Sequence, residues 1–278
     1  MRRRILITGA SSGIGKVTAQ RLGAAGHLVV GTCRHPEAQP ELPFEMLALD
    51  VDDDASVQAL FRRLEERDAL PDVLVHCAGS GIAGPLEETS DALAKAQFET
   101  NFFGAHRVVR AALPHLRARA RARDGEPRNA EGPGIILIGS LAGLITLPFQ
   151  GMYCATKHAL EAYAECLRYE LRPLGVRVTL VEPGDFKTDF TFRRRYTETD
   201  EASVYHAAMR SSLDVTERDE QAGPPPERVA ARVESLLGRR RWKIRYPVGN
   251  GLQGVAPFAA KILPASWFEA LIARMYLG

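Results

Sequence analysis

The sequence has few of the features that mark several large classes of protein. Only four of its 278 residues are cysteines, and they lie far apart without a CxxC or Cys/His spacing. This pattern indicates neither a disulfide framework nor a zinc site, so we expect no bound metal. The 36 basic and 34 acidic residues nearly cancel and leave a net charge of +2. The overall charge therefore gives no reason to expect a nucleic acid as partner.

Long apolar runs are also missing. Three apolar residues follow the basic residues 2–4 before Thr8, which is too few for the core of a signal peptide. The segment 132–156 has no charged residue, but glycine, proline and polar residues interrupt it, so it does not predict a membrane span. We therefore expect a cytoplasmic protein. The 45% hydrophobic and 25% charged residues that are present suit a globular protein with a substantial core.

Short apolar runs alternate with longer amphipathic stretches along the chain. This alternation is typical of βαβ units and a parallel sheet. The runs are apolar nearly throughout, as expected for strands covered by helices on both faces. The sequence thus predicts one α/β domain, residues 1–278, built on a doubly wound parallel sheet. About seven strands are predicted, at 4–8, 28–33, 45–50, 73–77, 135–139, 176–182 and 243–246.

Three segments stand outside this alternation. Residues 117–132 are rich in arginine but have no interleaved aromatic residues for base stacking, so we interpret them as a solvated helix end and loop. Residues 185–226 follow the carboxyl end of a predicted strand, where ligands bind in such sheets, and are predicted to form a substrate lid. Residues 253–278 predict amphipathic helices on either side of Pro264. This C-terminal extension could dock on its own domain, extend the lid, pack on another subunit or contact a membrane surface, although little positive charge flanks it.

A glycine-rich loop follows the first predicted strand. Gly9 permits a tight turn, Gly13 lets the backbone approach a pyrophosphate, and Gly15 allows the following helix to pack closely on the sheet. The N-terminus of that helix then faces the anion. The position directly after the first strand is what a dinucleotide-binding loop requires, and a merely structural turn is the alternative. The same loop contributes three further expected cofactor contacts, Ser11, Ser12 and Ile14.

The spacing GxxxGxG in this loop resembles that of the short-chain dehydrogenase/reductase family. The resemblance covers most of the chain, and the run around Tyr153 looks like the hydroxysteroid and retinol dehydrogenase branch. It implies a Rossmann fold and an enzyme that interconverts an alcohol and a ketone or aldehyde with a nicotinamide cofactor. One departure is His76–Cys77, where the family commonly has Asn–Asn. The other matching motifs follow in the family's order: Asp50–Val51, Ala78–Gly79, Asn101, Ser140, Tyr153-x-x-x-Lys157 and Pro183–Gly184-x-x-x-Thr188.

The four-residue spacing of Tyr153 and Lys157 places a phenol and an ammonium on one helical face. By the resemblance, Tyr153 is the general acid/base, Ser140 hydrogen-bonds the substrate oxygen, and Lys157 also binds the nicotinamide ribose. Asn101 would hold a water that passes protons toward Lys157. Lowering the phenol pKa by about three units takes roughly 4 kcal/mol, for which Lys157 and a positive nicotinamide are the expected sources. Asn101 as a helix cap and Ser140 as a turn residue are the alternatives.

The end of the second predicted strand suggests the choice of cofactor. NAD-specific sheets of this kind place an acidic residue there, but this chain has Cys33 followed by Arg34. A guanidinium without a competing carboxylate favours NADP(H) over NAD(H). By the resemblance, Asp50 and Val51 contact the adenine, and Ala78 and Gly79 leave room for the adenosine. The segment Pro183, Gly184 and Thr188 is expected to contact the rest of the cofactor.

Apolar residues near the expected catalytic positions favour a small apolar alcohol or carbonyl substrate, similar to a steroid, retinoid or lipid. The predicted pocket consists of Leu141, Leu147, Phe149, Met152, Phe186 and Phe190. A non-catalytic protein that senses NADP with the same fold is one alternative. A sugar-nucleotide epimerase or dehydratase is another, but it would need a larger C-terminal domain. The long predicted helices before Leu113 and after Tyr153 match those at subunit interfaces in relatives, so we expect a homodimer or homotetramer.

Overall fold

The computed structural model describes residues 2–122 and 132–278 and contains a parallel sheet of seven strands. The strand order is β3-β2-β1-β4-β6-β7-β9. The predicted fold class is confirmed, and the predicted strand ends differ from the observed ones by two residues or fewer. The strands are β1 Arg4–Thr8, β2 Leu28–Cys33, β3 Glu45–Ala48, β4 Val73–His76, β5 Ile82–Ala83, β6 Gly134–Ile138, β7 Arg177–Pro183, β8 Arg195–Tyr196 and β9 Arg245–Val248.

Helices cover both faces of this sheet. One apolar cluster, with Leu60, Val108 and Leu160, packs three helices on one face, and another, with Leu22 and Val233, packs two on the opposite face. This two-sided burial explains why the strands are apolar throughout. The helices are α1 Gly13–Ala24, α2 Asp54–Glu66, α3 Asp91–Phe98, α4 Gly104–Arg121, α5 Gly151–Leu171, α6 Phe190–Arg193, α7 His206–Ala222, α8 Glu227–Leu237, α9 Ala256–Ile262 and α10 Ala265–Tyr276.

The strand order determines where a ligand can bind. From β1 the chain moves outward through β2 to β3 and then returns to β4 on the other side of β1. The loops after β1 and β4 therefore diverge at the carboxyl edge of the sheet and leave a crevice between them. Open α/β sheets bind their ligands in such a crevice.

The segment 185–226 forms α6, β8 and α7 above this edge. The strand β8 pairs in parallel with β5, so the segment is joined to the loop that follows β4. A buried ion pair between Arg194 and Glu220 connects the end of α6 to α7. The segment is thus fastened at two places, and its role as a lid stays a prediction.

The C-terminal extension forms α9 and α10, and α10 contacts α7. Tyr276 of α10 is buried, whereas Trp267, Leu271 and Met275, spaced four residues apart, are exposed. Within residues 2–122 and 132–278, no helix has both the length and the apolar character needed to cross a bilayer. The helix α4 includes Arg117 and ends at Arg121, while most of the predicted solvated loop, 123–131, lies outside the described residues.

Candidate active site

The glycine-rich loop after β1 has the geometry of a phosphate cradle. Gly9 and Gly13 have φ angles of +67° and +51°, in the left-handed region that favours glycine. A Cβ on Gly9 would lie 2.9 Å from the backbone of Ala78, and a Cβ on Gly15 would overlap the Gly9 carbonyl group. A Cβ on Gly13 would instead meet only the side chain of Thr188, at 3.6 Å. The backbone at Gly13 is therefore approachable, and Thr188 lies beside it, as a dinucleotide site requires.

Helix α1 begins at Gly13, and its N-terminus faces the same loop. The side chain of Ser12 at its N-cap makes no capping hydrogen bond to the helix. Free N–H groups at a helix N-terminus stabilise an anion such as a pyrophosphate. Ser11, Ser12 and Ile14 are half-buried in this loop and first turn. These residues fit the phosphates of a dinucleotide.

Thr8 at the end of β1 organises the unusual His76–Cys77 pair. Its hydroxyl lies 3.0 Å from His76 Nδ1 and accepts hydrogen bonds from the Cys77 and Ala78 amides, both at 3.1 Å. Burial and the nearby Lys157 lower the pKa of His76 to about 3, so its imidazole is neutral at physiological pH. Burial raises the pKa of the Cys77 thiol to about 12. Both side chains are thus uncharged, and Thr8 ties the end of β4 to β1.

Asn101 lies in a π-helical turn, Glu99–Phe103, between α3 and α4. Its Oδ1 accepts a hydrogen bond from the Ser80 amide at 2.8 Å, and its Nδ2 donates to the Ser80 carbonyl at 2.9 Å and to Thr156 Oγ1 at 3.2 Å. The side chain therefore joins the loop after β4 to helix α5. A π-helical turn is rare and frequently lies at a functional site.

Ser140, Tyr153 and Lys157 come together where β6 ends and α5 begins. Ser140 is near enough to the phenol of Tyr153 to lower its pKa, and the Ala142 amide donates to Ser140 Oγ at 3.1 Å. Lys157 Nζ lies 5.8 Å from the centre of the Tyr153 ring and donates to the Ile138 carbonyl at 3.1 Å. The sequence placed these three residues in one site, and the geometry brings them together.

Burial dominates the proton affinities of this group. It raises the pKa of Tyr153 to about 12, against the opposing effect of the nearby Ser140 hydroxyl. It lowers the pKa of Lys157 to about 8. The side chains therefore do not produce the lowered phenol pKa expected from the sequence, because desolvation outweighs the effects of Ser140 and Arg194 that lower it. Tyr153 is a neutral phenol, and the contribution of a positive nicotinamide stays a prediction.

The predicted adenosine contacts lie at the carboxyl ends of β2 and β3. Arg34 is exposed directly after the buried Cys33. Asp50 is half-buried and accepts a hydrogen bond from the Asp52 amide at 3.1 Å, while Val51 is buried against Gly104. All of these positions share the edge of the sheet that carries the glycine loop.

The predicted contacts after β7 lie at the same edge. Pro183 is the last residue of β7, and the Gly184 amide donates to the Val248 carbonyl at 2.8 Å. Gly79 is exposed, and a Cβ there would lie 3.3 Å from Asn101 Oδ1. The two sides of the crevice thus present backbone rather than bulky side chains.

The six predicted pocket residues do not lie together. Leu147 and Phe149 line a cavity of about 570 Å³ with Leu86, Cys154 and His158. Tyr153 is not in the lining of this cavity, which lies beside another face of α5.

Phe190 instead covers Tyr153, with 5.7 Å between the two ring centres. Leu141 is buried against Gly184, Phe186 is buried in the core cluster that contains Val229, and Met152 is half-buried on α5. For Leu141, Phe186 and Met152, a place in the substrate pocket therefore stays a prediction.

Several charged groups near Tyr153 have no counterpart in the sequence analysis. Arg194 lies 5.7 Å from the centre of the Phe190 ring and pairs with Glu220, which also accepts a hydrogen bond from Thr191 at 2.7 Å. Burial and the charge of Glu220 raise the pKa of Asp185 to about 6. These residues lie on separate elements of the segment 185–226, so no spacing in the sequence could have connected them.

The fold and this crevice define a dinucleotide-binding α/β protein with a Ser–Tyr–Lys site. The chain matches the family model for short chain dehydrogenases over residues 3–199 and belongs to that family, the short-chain dehydrogenases/reductases. It is therefore an NAD(P)-dependent oxidoreductase, and the predicted family is confirmed.

Similar proteins extend over nearly the whole chain. A 3-ketodihydrosphingosine reductase of Bacteroides thetaiotaomicron is 36% identical, over 98% of this chain and 97% of that protein. A probable short-chain type dehydrogenase/reductase of Helicobacter pylori, VdlC, is 32% identical, with the same coverage. The crystal structure of a short-chain dehydrogenase from Streptomyces avermitilis matches with a TM-score of 0.77 and 29% identity, over 97% of this chain and 96% of that one.

Proposed function

We propose that this protein uses NADPH to reduce the ketone of a long-chain, lipid-like substrate to the secondary alcohol, with Tyr153 as the proton donor. The observation that carries the proposal is the neutral, half-buried Tyr153 beside Ser140 and Lys157. A phenol whose pKa lies at about 12 is protonated at physiological pH. It is thus in the correct state to donate a proton to a carbonyl oxygen as that oxygen gains negative charge.

Each residue of the site has a distinct task in this proposal. Ser140 hydrogen-bonds the substrate oxygen and holds it near the phenol. Tyr153 donates its proton to that oxygen, and Lys157 stabilises the phenolate left behind with its positive charge. Asn101 holds a water through which the proton is replaced from solvent. When bound, NADPH supplies the hydride.

The glycine loop and the N-terminus of α1 would hold the pyrophosphate, and Lys157 the nicotinamide ribose. The preference for NADPH rests on Arg34, which is exposed after Cys33 where an NAD-specific sheet has a carboxylate. A guanidinium donates charge-assisted hydrogen bonds to a 2′-phosphate. Asp50 and Val51 would contact the adenine, and Thr188, beside Gly13, the remaining phosphate or the carboxamide.

Two observations support a long-chain substrate. The 36% identical relative is named for the reduction of 3-ketodihydrosphingosine, and the two chains match over nearly their full lengths. The cavity of about 570 Å³ beside the other face of α5 is lined mainly by apolar groups, including Leu86, Leu147 and Phe149, and since Tyr153 does not line it, it would take the chain of such a substrate and not its ketone. Steroids and retinoids are the other apolar ketones and aldehydes to be tested.

The segment 185–226 is proposed as the substrate lid because Phe190 covers Tyr153 and Arg194–Glu220 fastens α6 to α7. A homodimer or homotetramer is proposed because the long helices α4 and α5 match those at subunit interfaces in relatives. Light scattering on the purified protein tests this assembly. The four cysteines are free thiols, which supports the reducing cytoplasm as the compartment.

A non-catalytic NADP sensor is the alternative function. The experiment that separates the two follows NADPH absorbance with 3-ketodihydrosphingosine, steroid ketones, retinal and medium-chain ketones as substrates. We expect oxidation of NADPH that depends on an apolar ketone and is slower with NADH. Tight NADPH binding without turnover of any member of the panel would favour the sensor and contradict the proposed reaction.

A further inference from the structure

A cluster of buried charges lies one helical turn beyond Lys157. Glu161 follows Lys157 by four residues on α5, so the two side chains leave the same face of the helix. Glu161 is 5% exposed, and its Oε2 accepts a hydrogen bond from Arg245 Nε at 2.7 Å. Arg245 also pairs with Glu165 at 2.6 Å and lies 3.4 Å from Glu182, which is fully buried. One guanidinium thus faces three carboxyl groups.

Close packing holds Glu161 and Lys157 against the same piece of backbone. Lys157 donates to the carbonyl of Ile138 at 3.1 Å, and a Cβ on the next residue, Gly139, would lie 3.3 Å from Glu161 Oε1. A Cβ on Gly143 would lie 2.9 Å from the Lys157 carbonyl oxygen and 3.2 Å from Glu161 Cγ. Helix α5 therefore packs on this backbone with no room for another side chain. Charges in such a place interact more strongly than at the surface.

The groups that face Lys157 differ in charge. His76 and Cys77 approach from the end of β4, and both are neutral because burial lowers the pKa of one to about 3 and raises that of the other to about 12. Tyr153, one turn earlier on α5, is also neutral. Cys77 and, after it, Glu161 raise the pKa of Lys157 against the effect of burial. Because the Cys77 thiol is neutral at physiological pH, Glu161 is the group of these two that can act as an anion.

The surroundings of Glu161 act on it in both directions. Burial, the largest effect, and the charge of Glu165 leave the pKa of Glu161 above its usual value, while the hydrogen bond and charge of Arg245 and the nearby Glu182 act to lower it. Arg245 and Glu182 belong to the neighbouring strands β9 and β7. The carboxylate of Glu161 is thus fixed in place by the sheet as well as by its own helix.

We propose that Glu161 is a positioning residue of the active site whose carboxylate helps to keep the Lys157 ammonium charged beside Tyr153. This inference rests on the proposed role of Lys157 and extends it to a residue that does not touch the reacting atoms. Lys157 needs its charge to stabilise the phenolate and to hold the ribose. An oppositely charged group in close range typically shifts a pKa by about one to three units.

The direct test is a titration of Lys157 by NMR. The chain contains only six lysines, so a protein labelled with ¹³C at lysine gives few signals, and the Lys157→Arg variant assigns the one of interest. In the wild type we expect this signal to titrate with a pKa of about 8. In Glu161→Gln the pKa of Lys157 should fall by about one unit or more.

The chain offers a matched control. Glu165 lies one further turn along α5, pairs with the same Arg245, and is 41% exposed in its side chain. Water screens this carboxylate, so Glu165→Gln should leave the pKa of Lys157 unchanged. If Glu161→Gln fails to fold, Glu161→Met removes the charge with a side chain of similar length and should give the same fall.

A second experiment measures how NADPH binding and kcat/KM depend on pH. The pH at which NADPH binding weakens on the alkaline side, and the alkaline limb of kcat/KM, should both move to lower pH by about one unit in Glu161→Gln. Glu161→Asp retains the charge and should return both pH values most of the way to those of the wild type. A merely structural role would change the thermal stability without moving these pH values.

The outcomes separate this inference from the proposed function. A Lys157 pKa in Glu161→Gln as high as in the wild type would overturn the inference, whatever the enzyme reduces. A lowered pKa in that variant alone, with Glu165→Gln unchanged, would support it. Failure of the wild type to reduce any ketone would contradict the proposed function, while the NMR titration would still decide the role of Glu161.

Discussion

Substituting alanine for Gly15 tests the phosphate cradle because the structure leaves no space there. The added Cβ would overlap the Gly9 carbonyl group, with 2.9 Å to its carbon. Gly9 cannot easily move away, because its own Cα is packed against the backbone of Ala78 at the end of β4. Either helix α1 must shift from the sheet or the loop must distort. Overpacking of this kind typically lowers the free energy of unfolding by about 1–3 kcal/mol, and this site lies at the upper end of that range because the added Cβ meets backbone atoms of Gly9, which cannot rotate away.

We expect Gly15→Ala to lower the free energy of unfolding by about 3 kcal/mol and to weaken NADPH binding at least about tenfold. Chemical denaturation and fluorescence titration with NADPH measure the two effects. Gly238→Ala is the matched control, because a Cβ at Gly238 meets nothing within 4 Å and its φ of −84° suits alanine. Wild-type stability and NADPH affinity in Gly15→Ala would refute this reading of the loop.

Three further substitutions test other parts of the account. Arg34→Ala should reduce the preference for NADPH over NADH in kcat/KM by about ten- to a hundredfold, and an unchanged ratio would exclude Arg34 as the phosphate contact. Asp185, whose pKa is raised to about 6, binds more protons when folded, so it lowers stability as pH rises from about 4 to 6. Unfolding of Asp185→Asn between these pH values should lack that decline, and an unaltered slope would contradict the assignment. Arg194→Met leaves the buried Glu220 unpaired and should lower the free energy of unfolding in urea by about 3–5 kcal/mol. Arg210→Ala, in an exposed ion pair, should lower it by less than about 1 kcal/mol. Equal losses in the two variants would contradict the view that burial decides the effect.

The features that the sequence predicted correctly are local ones. The alternation of apolar and amphipathic segments predicts the sheet because each strand is buried on both faces. The strand ends differ by one or two residues because hydrogen bonding to neighbouring strands decides them. Gly9, Gly13 and Gly15 share one loop, and Tyr153 and Lys157 share one helix, so their spacing alone indicates their arrangement.

The features that the sequence could not predict depend on distant contacts. Phe186 and Phe190 both lie in the predicted lid, yet one is buried in the core and the other covers Tyr153. The pair Arg194–Glu220 and the contact of Glu161 with Arg245 join different elements. A four-residue spacing from Lys157 was available to point to Glu161, but only the structure shows that it is buried and bound by Arg245.

The central claim is that Tyr153 transfers the proton during carbonyl reduction, and one comparison tests it most directly. Wild-type protein and Tyr153→Phe are assayed with NADPH and 3-ketodihydrosphingosine, and their NADPH affinities are measured by fluorescence. If Tyr153 is the general acid, the variant binds NADPH nearly as tightly as the wild type and loses at least about 99% of the turnover, within the usual contribution of a general acid. A variant that retained most of the activity would contradict it.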